Sequence, residues 1–132
     1  LTPIARELLR RAERDLGNAR AIASIAIPDI AAREAYLAVY HAAKALVFER
    51  TGKTPKTHTG VRQAFGQVVV DDGLDQELGR FLARAYEYKT IADYDLSRRI
   101  SAEDVEPILR RAEQAVSTIT EILQRGAGSP SE

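Results

Sequence analysis

The chain has no cysteine, which excludes disulfides and thiolate metal sites. A reducing compartment suits such a chain, and a cytoplasmic location is expected. Its two histidines, His41 and His58, are too few for a histidine-rich metal centre. Neither a metal nor a cofactor is expected. No apolar run approaches the roughly 20 residues that cross a bilayer, so no membrane association is expected. The N-terminus lacks the pattern of a signal peptide. The chain opens at Leu1 instead of methionine, and a few leading residues are expected to be missing or processed. An excess of one charge is absent as well: 19 basic residues balance 19 acidic ones. The whole-molecule field therefore does not advertise nucleic-acid binding, although a local basic patch would still serve. Strand patterns and internal repeats are also missing.

What is present suits one helical domain. A chain of 132 residues, 45% hydrophobic and 29% charged, can bury a single core and stay soluble. The stretch from Asp29 to Val61 organises the rest. Asp29 to about Thr51 reads as one long helix. Its residues Ala31, Ala32, Ala35, Tyr36, Val39, Ala42, Ala43, Leu46 and Val47 recur at three- and four-residue steps. Such small side chains let neighbouring helices come close, so this helix is expected in the middle of a bundle. Tyr36, Tyr40 and Lys44 line one stripe of it, with His41 beside them. Tyr36 reads as a core tyrosine with a satisfied hydroxyl. Tyr40, His41 and Lys44 read equally well as core groups or as a stripe facing solvent or a partner chain.

The other helices follow from caps and periodicity. Thr2-Pro3 starts the first, which runs to about Ser24. Ile4, Leu8, Ala12, Leu16, Ala19, Ile22 and Ala23 form its apolar stripe. Arg6, Arg10, Arg14 and Arg20, with Glu7, Glu13 and Asp15, take the other faces. The short link to Pro28 makes the first two helices an antiparallel pair. A third, shorter helix is capped by Thr57 or Thr59 and carries Val61, Ala64, Phe65, Val68 and Val69. Asp71-Asp72-Gly73 is a turn. Leu74 to about Ile91 reads as the fourth helix, and Ala92 to Ile100 as irregular or frayed. Ser101 caps the fifth, with Asp104 as a shortened capping-box acid. Pro107 falls in its first turn or just beyond. The fold class expected is all-α: an antiparallel bundle of four long helices plus one short helix over residues 1–125. Residues 126–132 are expected to form a disordered polar tail.

Three stretches carry chemistry. Gly52-Lys53-Thr54 imitates the end of a phosphate-binding loop, but Val47 stands where the leading glycine belongs and a helix precedes it. The glycine is better read as a helix cap. Lys53, Lys56, His58 and Arg62 form a basic cluster that suits phosphate if it abuts the start of the third helix. The same cluster also reads as a solvated loop. Arg84 to Asp95 is the densest stretch. Lys89, Asp93 and Tyr94 bring a cation, a carboxylate and a phenol together, to bind and polarise a phosphodiester or simply to pair on the surface.

Three segments together resemble the HEPN superfamily, in the small prokaryotic branch often encoded beside a minimal nucleotidyltransferase. They are AYLAVYHAAKALVFERTGKTPKTHTGV, GLDQELGRFLARAYEYKTIADYD and ISAEDVEPILRRAEQAVSTITEIL. The resemblance runs from about Ile4 to Leu123. It implies a helical bundle that forms a homodimer with a cleft along its interface. Many members are metal-independent ribonucleases that use an arginine followed closely by a histidine. Others bind nucleotides or act as non-catalytic partners. Against that pattern Lys89 stands where the arginine would be and Tyr94 where the histidine would fall. Arg84 is an alternative cation.

The resemblance implies a component of a toxin–antitoxin-type pair with a nucleotidyltransferase, binding nucleotide or RNA through Lys53, Lys56, His58, Tyr40, Lys44 and Arg84. An alternative is a metal-independent ribonuclease toxin acting through Lys89, Asp93 and Tyr94. A further one is a non-catalytic helical interaction module.

Overall fold

The computed structural model describes residues 1–95 and 97–128, with side-chain environments through residue 126. It holds five helices: α1 (Pro3–Ser24), α2 (Pro28–Thr51), α3 (His58–Asp71), α4 (Glu77–Tyr94) and α5 (Ala102–Gly128). There is no strand among the described residues, and Val68-Val69-Val70 lies inside α3. The shortest helix is α3, as the all-α reading requires.

α2 is the axis of the bundle. α1, α3, α4 and α5 all pack on it, whereas α1 meets neither α3 nor α4 among the described residues. The cause is composition. Seven alanines of α2, at positions 31, 32, 35, 38, 42, 43 and 45, are buried. Small side chains let four neighbours approach one helix, and the larger Tyr36, Val39, Leu46 and Val47 fill the spaces between them. All nine core positions expected for this helix are buried. On α1 the buried line is Ala5, Leu9, Ala12, Asp15 and Ala19. Ile4 is 49% exposed, so the apolar stripe sits slightly rotated from the expected one.

The ends are set by caps. The Thr2 hydroxyl accepts from the Ala5 amide at 3.2 Å and donates to Glu49 at 3.0 Å, tying the start of α1 to the end of α2. Gly52 ends α2 at φ 73°, its N–H donating to the Phe48 carbonyl. This left-handed geometry is the reason for glycine there, and a helix precedes it where a phosphate-binding loop would need a strand. The Thr57 hydroxyl caps α3 by accepting from Gly60 at 2.9 Å. Ser101 and Asp104 exchange hydrogen bonds at 3.1 Å in a reciprocal capping box. Pro107 is the sixth residue of α5, deeper than the first turn. Its site is solvent-exposed, so water can satisfy the carbonyl that a proline leaves without an amide partner.

α4 begins later than Leu74, behind a turn in which Asp75 accepts from the Glu77 amide, and continues through Tyr94. Past it, Asp95 accepts from Ser97 and Arg98, and Asp29 accepts from the Ile100 amide at 3.0 Å. The α4–α5 connection is thereby pinned to the start of α2. Arg20 grips Glu113 through two bonds of 2.8 and 2.9 Å and Glu106 through another of 2.8 Å, clamping α1 to α5. The paired geometry on Glu113 gives this partly exposed clamp more value than a single surface ion pair. α5 runs past Arg125 through Gly128, and residues 129–132 of the expected tail lie outside the described residues.

Ala42 has no exposed surface. Ala42→Leu is expected to lower unfolding stability by about 1–3 kcal/mol through overpacking, measured as a lower urea midpoint with unchanged slope.

Candidate functional site

Two groups of polar side chains are assembled on α2, one near each end of the line of tyrosines. The first lies at the end of α4. Lys89 Nζ is 3.0 Å from Asp93 Oδ2, one helical turn away. Arg33 of α2 approaches the other oxygen of the same carboxylate, with Nε at 3.5 Å. That Nε is buried and has no hydrogen-bond partner. Lys89 Nζ lies 5.6 Å from the centre of the Tyr94 ring. Tyr94 is 71% exposed and lines an open cleft of about 640 Å³ with Tyr86, Thr90, Ile91, Asp95 and Arg98. An exposed phenol, two cations and a carboxylate therefore gather where α4 ends. The three residues expected to act together on α4 do sit together, and the fold adds an arginine that their spacing did not reveal.

The second group centres on His58, the first residue of α3. Its Nδ1 is 2.6 Å from the Tyr36 hydroxyl. Burial raises the Tyr36 pKa, reinforced by the neighbouring Tyr40 phenol, so this phenol keeps its proton and donates it. His58 then accepts at Nδ1 and carries its hydrogen on Nε2. Its ring stacks on Tyr40 with centroids 4.4 Å apart, and Tyr86 of α4 lies 6.0 Å away. Burial lowers the His58 pKa first, and the charges of Lys89 and Arg62 lower it further. Arg62 Cζ lies over the Tyr86 ring, 4.2 Å from its centre, and Lys44 Nζ is 5.8 Å from the centre of the Tyr40 ring. The start of α3 thus reaches α4, which places His58 near Lys89.

A third pair is structural in position. His41 Nδ1 and Asp15 Oδ2 are 2.7 Å apart, and both residues are buried. Asp15 does not belong with the solvated acids of α1. It occupies the buried line between Ala12 and Ala19, and this interruption of an apolar stripe was the available signal. Tyr40 and His41 accordingly face the interior, not solvent, while Lys44 stays half-buried.

The remaining expected binding residues are dispersed. Lys53 and Lys56 are exposed in the α2–α3 loop. Arg84 points toward α5, 3.8 Å from Glu77, and lines a separate depression with Phe81, Tyr88 and Arg111. Tyr86 and Arg33 were not singled out as site residues, and Arg62 was expected only as a member of the basic cluster at the start of α3. Each comes from a different helix, so no local spacing marks their convergence. No group of His, Asp and Glu suited to a metal ion occurs among the described residues. None of the described helices is long and apolar enough to cross a membrane.

A bundle built on an alanine- and tyrosine-rich second helix, with a cation, a carboxylate and a phenol closing the fourth, defines a small HEPN-type domain. The HEPN domain family model matches residues 5–123, and the chain belongs to that family. It is 32% identical over 118 residues to "Putative toxin MJ0605" of Methanocaldococcus jannaschii, covering 89% of this chain and 87% of that protein. It is 29% identical over 106 residues to "Putative toxin MJ0142" of the same organism, covering 80% and 71%. A UPF0332 protein of Thermotoga maritima is 28% identical over 116 residues, covering 87% of each chain.

The lowered His58 pKa sets a pH dependence. In the window below the ordinary histidine value of about 6.5 the unfolded chain binds the proton more readily than the folded one. His58 therefore contributes stability that is present above that value and lost as pH falls. Urea titrations from pH 8 to pH 5 are expected to show the native chain losing more stability than His58→Gln.

Proposed function

We propose that this chain is the HEPN half of a toxin–antitoxin-type pair, with a minimal nucleotidyltransferase as its partner. In this reading two copies associate and hold RNA or nucleotide at a shared cleft. The observation that carries it is Tyr94: 71% exposed, at the rim of an open cleft, with Lys89 and Asp93 on the preceding turn. The relatives named as toxins support the same class. A phenol this accessible, with Lys89 beside it and Arg98 in the same cleft as cations suited to phosphate, suits a side chain on which a partner acts. A nucleotidyltransferase would transfer a nucleotidyl group when the Tyr94 oxygen attacks the α-phosphorus of a nucleoside triphosphate and pyrophosphate leaves. The modified residue would fill the cleft with a new anion and base.

A second reading is a metal-independent ribonuclease, favoured by the approach of Arg33 to Asp93. Lys89 and Arg33 would hold the scissile phosphate. Asp93 would orient the attacking 2′-hydroxyl, and Tyr94 or His58 would move protons, leaving a cyclic phosphate. A phenol is a weaker general base than the histidine of the usual motif, which is why the partner reading stands first.

Co-expression with a minimal nucleotidyltransferase, taken from beside this gene where one is encoded there, is expected to give a copurifying complex. Incubated with a nucleoside triphosphate, that complex is expected to gain one nucleotidyl group on the native chain and none on Tyr94→Phe. A monomeric chain that ignores such a partner overturns the pairing. Incubation of the isolated chain with transfer RNA in EDTA tests the second reading: cleavage lost in Lys89→Ala puts the enzyme first, and cleavage that survives both Lys89→Ala and Tyr94→Phe removes it.

A further inference from the structure

The His58 group is dominated by donors. Tyr36 occupies Nδ1, so the Nε2–H of His58 is left to donate elsewhere. Lys44 and Arg62 have no carboxylate within ion-pairing distance among the described residues. Arg62 Nε is buried without a hydrogen-bond partner, while the guanidinium carbon sits over the Tyr86 ring and a terminal nitrogen donates to Thr59 at 3.3 Å. Lys89 lies 5.9 Å from the same ring. In the first turn of α3, Thr57 takes the amides of Gly60 and Val61. The amides of His58 and Thr59 remain open at the positive end of the helix. Cations from α2, α3 and α4 converge here with one carboxylate, Asp93, among them, although the whole chain is neutral.

We propose that each protomer carries an anion site around His58, formed by Lys44, Arg62 and Lys89, which takes the phosphate group of a nucleotide or of an RNA strand. The proposal deepens the nucleotide- or RNA-binding reading and rests on it. It assigns phosphate recognition to side chains from three helices instead of to the exposed loop lysines. Arg62 is pre-oriented by its stacking on Tyr86, so a phosphate gains a fixed donor with little side-chain ordering. His58 adds a donor that does not depend on its being protonated. Burial is the first cause of the lowered His58 pKa, and the charges of Lys89, Arg62 and Lys44 that add to it are those an anion would neutralise. The tyrosines keep these donors in place from below, because Tyr36 has no exposed surface and Tyr40 almost none.

The test is NMR of the His58 imidazole in the purified chain, titrated separately with adenosine 5′-monophosphate, adenosine and a short single-stranded RNA. The two phosphate sources are expected to shift the His58 signals and to raise its apparent pKa, while adenosine does neither. Arg62→Gln and Lys44→Gln are each expected to weaken the nucleotide about tenfold, as loss of one charge-assisted contact does. Arg110→Gln, which removes an exposed charge on α5, is expected to have no effect. Circular dichroism confirms that each variant is folded. Equal shifts from adenosine and its monophosphate, or undiminished binding in both Arg62→Gln and Lys44→Gln, overturn the site. RNA binding that leaves His58 unmoved also overturns it, yet leaves the proposed function standing. Nucleotide seated at His58 in a chain that captures no nucleotidyltransferase keeps the site and removes the pairing instead.

Discussion

The constraint on which the molecule depends is that α2 is buried on nearly every side. A helix enclosed by four others has little solvent face along its middle, and each polar group buried there must find a partner inside. That requirement explains the two least expected features of the fold. His41 is met by an aspartate from α1, and Tyr36 by a histidine from the start of α3. Both partners come from elements that exist to cover α2. The polar residues of the axis therefore specify where its neighbours sit, while the alanines specify how near they come.

A second consequence concerns charge. The chain is neutral overall, but its charges are sorted. Between α1 and α5, Arg20 is matched by Glu106 and Glu113. Where α2, α3 and α4 meet the charges are not matched, with Lys44, Arg62, Lys89 and Arg33 set against Asp93. Local potential, not net charge, governs what such a surface attracts. The aromatic rings beneath these cations also restrict them, since a guanidinium stacked on tyrosine is held more firmly than one in water.

Much of the architecture was legible in the residues. The alanine repeat of α2 announced a central helix, Gly52 announced its end, and Ser101 with Asp104 announced the last start. These are local signals, and local backbone chemistry decides them. The site was legible only in part. Lys89, Asp93 and Tyr94 lie on adjacent turns of one helix, so their spacing was sufficient. Arg33 reaches Asp93 across sixty residues of chain, and Arg62 reaches Tyr86 from another helix. Asp15 interrupts the line of Ala12 and Ala19, a signal that its plausible solvated role masked until the opposing histidine was in place. Packing between elements, which one-dimensional periodicity does not encode, decided each of these.

The absence of contact between α1 and the α3–α4 pair gives the molecule an unusual mechanical wiring. The two flanks are connected in parallel to one beam and not to each other. A load applied to α1 reaches α4 by way of α2, through the adjoining rings of His41, Tyr40 and His58, or round the far side through α5. Rings in contact transmit displacement with little compliance. A protein gripping the α1 flank would thus hold a lever on the geometry of the opposite flank, with α2 as its fulcrum.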